Sequence, residues 1–245
     1  MPSRRTLALV PLLFLGAVVL RLPAGWVTPL LPDSVACEAP GGTAWRGTCA
    51  RMKAGGLTVT NVAWQLLPGE LLHGKLGLSV QVADPAAQGS AKLLLGSGGR
   101  MQVYDLLARL PVPSALAAGI PPGWTGLLDA EVPQFELQGT TLRAVRGALR
   151  LRDLQQSQPH IDYGSFEWQF GPAAPSDGRL QGPLRDLGGT TRLQGTLALA
   201  LNGGYDLNAK VAAAAGAGEA LQQALQQLGP ADAEGFHPLL AAGTL

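Results

Sequence analysis

Charge, aromatic rings, histidine and cysteine are all scarce in this chain. Only 14% of its 245 residues are charged, 18 Lys+Arg against 17 Asp+Glu, for a net charge of +1. The basic residues are scattered, which leaves no electrostatic footprint for a nucleic-acid partner. Aromatics make up 5%, so the 47% apolar fraction is mostly aliphatic. The two cysteines, Cys37 and Cys49, form a C-x11-C pair with no adjacent histidine, which fits neither a zinc site nor a C-x-x-C redox motif. His73, His160 and His237 lie far apart, each beside turn residues, which points to surface or packing roles. G-x-S-x-G, H-E-x-x-H and phosphate-loop patterns are missing, and the glycines are too irregular for a loop that cradles phosphate. No catalytic residue, metal ligand or cofactor is expected.

What is present begins with an apolar run. Arg4 and Arg5 precede Thr6 to Leu20, which carries no charge. That run alone reaches roughly 22 Å as a helix, short of the ~30 Å hydrocarbon core. Continuing to Leu31 adds enough length if Arg21 snorkels and Trp26 sits among the headgroups. No A-x-A site precedes a mature start, so the reading taken is an uncleaved anchor, with a cleaved signal peptide and a buried core helix as alternatives. The positive-inside bias then places residues 1–5 in the cytoplasm, 6–31 in the membrane and 32–245 in the periplasm as one β-rich domain.

In that compartment disulfides persist, and pairing of Cys37 with Cys49 is expected. Between them Pro40, Gly41, Gly42 and Gly47 let the chain reverse. From Leu57 the sequence alternates at a period of two, as in LTVTNVAWQL, stopped by Pro68-Gly69, and in KLGLSVQVAD after Gly74. Glycine-led runs recur at Gly126, Gly147 and Gly195, a weak G-x-L-x-L repeat. With 33 Gly and 19 Pro, these point to a mainly β fold: a curved meander of consecutive antiparallel strands. Two segments read as short covering helices, Met101 to Leu110 and Glu219 to Leu228. Trp45, Trp64, Trp124 and Trp168 sit beside strands or turns, where they pack a core, cover an edge or line an apolar groove.

Three groups, taken in order, carry a resemblance. They are Gly42-Thr43-Ala44-Trp45-Arg46-Gly47, then Val62-Ala63-Trp64 followed by Pro68, then Leu71-Leu72-His73-Gly74 before Leu76. Gly204-Tyr205 and the ending with Gly235 and Gly243 continue it. This ordered set resembles the type II secretion system protein N family; the cysteine pair is a departure from the family pattern. The resemblance implies a non-enzymatic inner-membrane accessory of the apparatus that moves folded proteins from the periplasm across the outer membrane. It implies contact with inner-membrane platform proteins and, as a second candidate, the outer-membrane secretin. The alternative is an AsmA-like envelope protein that binds or transfers lipid in an apolar groove of its sheet. An apolar face left as an open trough would favour that alternative.

Overall fold

The computed structural model describes residues 18, 20–26, 34–54, 57–112, 123–171 and 178–244. Most of the apolar run 6–31 lies outside the described residues. No helix among the described residues is long and apolar enough to cross a membrane.

Among the described residues, thirteen strands form one antiparallel sheet in which each pairs with its neighbours in the chain. They are β1 (Val35–Gly42), β2 (Arg46–Ala54), β3 (Leu57–Leu67), β4 (Leu76–Ala83), β5 (Gln88–Leu95), β6 (Arg100–Pro111) and β7 (Trp124–Gln138). Then follow β8 (Thr141–Ser157), β9 (His160–Phe170), β10 (Arg179–Asp186), β11 (Thr191–Ala200), β12 (Gly204–Ala213) and β13 (His237–Thr244). Among the described residues the sheet is open, since β1 pairs only with β2 and β13 only with β12. Pairing each strand with the next one along the chain needs only short connections, which suits a sequence rich in Gly and Pro.

Most of the strand leucines share one face, with Leu94, Leu107, Leu127 and Leu240 on the other. Leu106 lies opposite Val132, Leu128 opposite Leu151, Leu149 opposite Trp168, and Leu197 opposite Leu207. Val132, Leu142, Val145, Trp168 and Phe170 are the buried centre of this face. The Trp168 indole lies over β10 and donates from Nε1 to Leu197 O on β11 at 3.1 Å. A second cluster forms where the helix Glu219–Gln226 places Leu221 and Leu225 against Ile161, Leu193, Ala209 and Val211. That helix is amphipathic, as its i, i+4 leucines indicate.

The segment Met101 to Leu110 is not a helix; it is the body of β6. Its apolar residues are spaced by three because Asp105 sits in the left-handed region (φ 52). Met101 and Val103 face Leu137 and Phe135 before that point, and Leu106 faces Val132 after it. The extra residue turns a period of two into a spacing that imitates a helix. Asn61 (φ 53) does the same in β3. Val59, expected on the face away from Val62, instead lines the same apolar hollow as Val80 and Val82. The glycine-led starts also differ in cause. Gly126 does take a positive φ (153). A Cβ at Gly147 would lie 2.7 Å from Phe170, and one at Gly195 would collide with Ala209.

Cys37 and Cys49 are bridged, with Cα atoms 5.8 Å apart, and tie β1 to β2. Cys49 is fully buried opposite Val62. Closing a loop of this size stabilises the fold by about 3 kcal/mol in the chain-entropy picture. The double variant Cys37→Ser/Cys49→Ser is therefore expected to lose about that much in urea denaturation followed by tryptophan fluorescence.

Candidate functional site

The resemblance-bearing residues of the first three strands meet at one end of the sheet. Gly42 takes φ 78, and Thr43 closes the β1–β2 turn by donating from N to Arg46 O (2.9 Å) and accepting from Arg46 N at Oγ1 (3.2 Å). Trp64 lies opposite Gly47, where any Cβ would collide with its ring. Its Nε1 donates to Ala44 O at 3.2 Å, and Leu66 N donates to Trp45 O at 2.7 Å. Leu22 O accepts from Ala44 N (2.8 Å), and Pro23 bridges Thr43, which fixes the chain just ahead of the sheet to this same turn. Pro68 opens one helical turn, Pro68–Leu71, as its fixed φ favours. Gly74 (φ 68) ends that turn, and Leu72 beside it is 89% exposed.

Farther along, Tyr205 lies opposite Gly243 in the β12–β13 pair, and Gly204 opposite Thr244. Gly235 (φ 83) turns the loop that Asp232 holds by accepting from Glu234 N and Phe236 N. A recurring device emerges: Trp64 over Gly47, Phe170 over Gly147 and Tyr205 over Gly243, each an aromatic ring laid on a glycine across a strand pair. The ring covers backbone that the glycine leaves bare and pins the register. Trp124 instead stacks on Tyr163 with centroids 5.1 Å apart. The histidines are not brought together: His73 and His237 each meet a local carbonyl, Gly69 O and Gly229 O, and His160 opens β9. Among the described residues no group of three His, Cys, Asp or Glu is placed to hold a metal ion.

The opposite face carries a feature that reading the strands one at a time missed. Arg109, Asp129, Arg150, Glu167 and Arg185 stand in one row across β6 to β10, each directly opposite the next. Their signs alternate. Arg109 Nε donates to Asp129 Oδ1 (2.7 Å), Arg150 Nε to Glu167 Oε1 (2.7 Å), and Arg185 Nε to Glu167 Oε2 (2.9 Å). Arg152 pairs with Asp129 at 2.7 Å, and Arg150 Nη1 also reaches Glu131 at 2.9 Å. Glu167 is 3% exposed. Burial alone would raise its pKa, but hydrogen bonds from Arg185, Arg150 and Gln169 outweigh that and hold it below the usual carboxylate range. A hollow of about 660 Å³ lies along this row, lined by Asp84, Arg109, Asp129, Glu131, Arg150 and Arg152. Its alternating charges suit a polar segment of chain and supply no nucleophile and base in contact. The signal was in the sequence as charges interleaved with leucines, in Leu128-Asp129-Ala130-Glu131 and Leu149-Arg150-Leu151-Arg152. Only the register shows that they meet.

A family model described as Type II secretion system (T2SS), protein N, matches residues 33–239. The chain belongs to that family. The match runs from just before β1 into β13, so it takes in nearly the whole sheet. A relative named Type II secretion system protein N, from Aeromonas hydrophila, is 27% identical over 186 residues, covering 73% of this chain and 66% of that one. The aligned region thus spans just under two thirds of the relative's length. No solved structure matches the chain. For this protein N family member the order of the turn motifs, G-T-x-W-x-G before V-x-W, has a physical basis, because the second tryptophan needs the last glycine of the first motif as its seat.

Two measurements probe these contacts. Gly47→Ala is expected to cost about 1–3 kcal/mol through overpacking against Trp64, read by urea denaturation. Glu167 has a lowered folded pKa, so its contribution is present above the unfolded value of about 4.3 and is lost as pH falls through the folded value. The urea midpoint should decline from pH 5 to pH 3. Glu167→Gln should cost about 1–3 kcal/mol at pH 7 and show a shallower decline.

Proposed function

We propose that this chain is a non-enzymatic, single-pass inner-membrane subunit of the type II secretion system that supports export of folded proteins from the periplasm across the outer membrane. The family match over residues 33–239 carries this reading. In it, residues 1–5 are cytoplasmic, 6–31 are the anchor and 32–245 form a periplasmic domain whose open sheet works as a scaffold. The inner-membrane platform proteins are the first candidates for partners and the secretin the second.

The free edge of β13 supports such a role. Its eight residues, His-Pro-Leu-Leu-Ala-Ala-Gly-Thr, carry no acidic or basic side chain apart from His237, and Leu240 at its centre is 70% exposed. An open edge of this kind accepts an added strand through main-chain hydrogen bonds, with side-chain pockets setting the choice. The β1 edge is less open, since Pro23 bridges the residue that follows β1. A second reading, lipid handling, draws on one observation: across β3 to β8 no described helix covers the apolar face, where a hollow of about 210 Å³ is lined by Val59, Val82, Leu106 and Leu110.

A photo-crosslinker at Leu240 in native membranes tests the proposal, with the export of a secreted enzyme followed in the same cells. Adducts with secretion-system subunits are expected, together with periplasmic retention of the enzyme when Leu240→Lys places a charge on the edge. Adducts of acyl lipid alone, with Leu240→Lys exporting as well as the parent, would sink the scaffold reading in favour of lipid handling.

A further inference from the structure

The two ends of the sheet differ in charge and in exposed apolar side chains. In a meander, the β1–β2, β3–β4, β5–β6 and β7–β8 connections all fall at one end. They are contiguous there: Ala44 N donates to Leu22 O, Leu66 N to Trp45 O, Lys75 Nζ to Gln102 Oε1, and Gly139 N to Gly99 O. Most strands leaving this end start on or beside a basic residue, β12 with Asp206 at its third position being the exception. Arg46 opens β2, Lys75 precedes β4, Arg100 opens β6 and Arg143 is the third residue of β8. The acids among the described residues at this end are Glu70, Glu136 and Asp206, and Glu136 is taken up by Arg100 at 3.5 Å. At the opposite end the described connections 84–87, 158–159, 187–190 and 214–236 carry Asp84, Glu219, Asp232 and Glu234 and no Lys or Arg, and the strand ends there add Asp162 and Asp186 against Lys53, Arg109, Arg185 and Arg192, so acids still outnumber bases.

Exposed apolar side chains are more numerous at the basic end, although Leu187 and Leu228 are exposed at the opposite one. Leu72, the most exposed, projects from the Pro68–Leu71 turn, with Leu71, Leu76 and Leu95 exposed close by. Trp26, on the segment fixed to the β1–β2 turn, is 71% exposed, and Leu20 just ahead of it is exposed as well. Leucines and a tryptophan on a basic rim match the layered chemistry of a bilayer surface, where apolar tips enter the acyl boundary, indole sits among headgroups and Lys/Arg meet lipid phosphates. The acidic opposite end is repelled by the same surface.

We propose that the basic end of the sheet, with Leu72 at its tip, docks on an anionic lipid bilayer and so sets the sheet upright on the membrane. The occupant is the bilayer surface, chosen by charge complementarity and by the place where the chain ahead of the sheet emerges. This rests on the anchor reading above and adds an orientation to it.

The test uses the full chain reconstituted in nanodiscs of phosphatidylglycerol and phosphatidylethanolamine, with phosphatidylcholine discs for comparison. Both native cysteines are bridged, so an environment-sensitive dye can be placed at Leu72→Cys, at Leu187→Cys on the other end, or at Leu13→Cys in the N-terminal run. Quenching by brominated acyl chains reports depth. The expected result is quenching at Leu72 in the anionic discs and none at Leu187. Arg46→Gln/Arg143→Gln should lower the docked-to-undocked ratio about 30-fold, at roughly fivefold per basic residue. An unquenched Leu72 dye beside a quenched Leu13 dye overturns the docking and leaves the anchor standing. Quenching at Leu72 that is equal in both lipids and indifferent to the arginine changes overturns the anionic recognition. Failure to quench at either Leu72 or Leu13 overturns the docking and the anchor together.

Discussion

A single sheet can hide its leucines only if every strand turns them to the same side. That constraint governs this molecule, because one eight-residue helix, Glu219–Gln226, covers part of one end and the strands must bury the rest against each other. Hydrophobic burial is non-directional and cannot by itself choose between registers that place leucine beside leucine. The row from Arg109 to Arg185 on the other face supplies that choice. Sliding β9 by two residues keeps the leucines together but separates Glu167 from Arg150 and Arg185.

Keeping one face apolar over long strands requires the phase to be reset where the sequence slips. Ala39, Asn61, Asp105 and Asp153 do this with positive φ at non-glycine residues. Asn and Asp tolerate that region because their short polar side chains can bond locally. In β6 the reset is what made Met101 to Leu110 read as a helix: three-residue spacing in a strand and in a helix look alike until the neighbours are known. The segment Glu219 to Leu228 was legible because its leucines repeat over two full turns and Gly229 follows.

The family-bearing residues turn out to be mostly builders of the fold. Gly42, Gly47, Trp64, Tyr205 and Gly243 fix turns and aromatic-on-glycine pairs, and Gly74 and Gly235 take the left-handed backbone their turns need. Leu72 differs, since nothing among the described residues covers it. A signature made of turn and packing residues identifies the sheet well and describes its contacts with other molecules poorly. In the two proposals those contacts fall on an edge and a rim built from residues such as Leu240 and Arg46.

By itself, the sequence determined the mainly β class, the order of strands around Pro68 and Gly74, the Cys37–Cys49 pair, the C-terminal helix and the family, because each is set by local spacing or by composition. Tertiary structure alone decided the register that lines up Arg109, Asp129, Arg150, Glu167 and Arg185, the identity of β6, and the gathering of basic and apolar residues at one end of the sheet. Those features join residues tens of positions apart through strand pairing. Pairing depends on how bulges on neighbouring strands match, and no single strand carries that information.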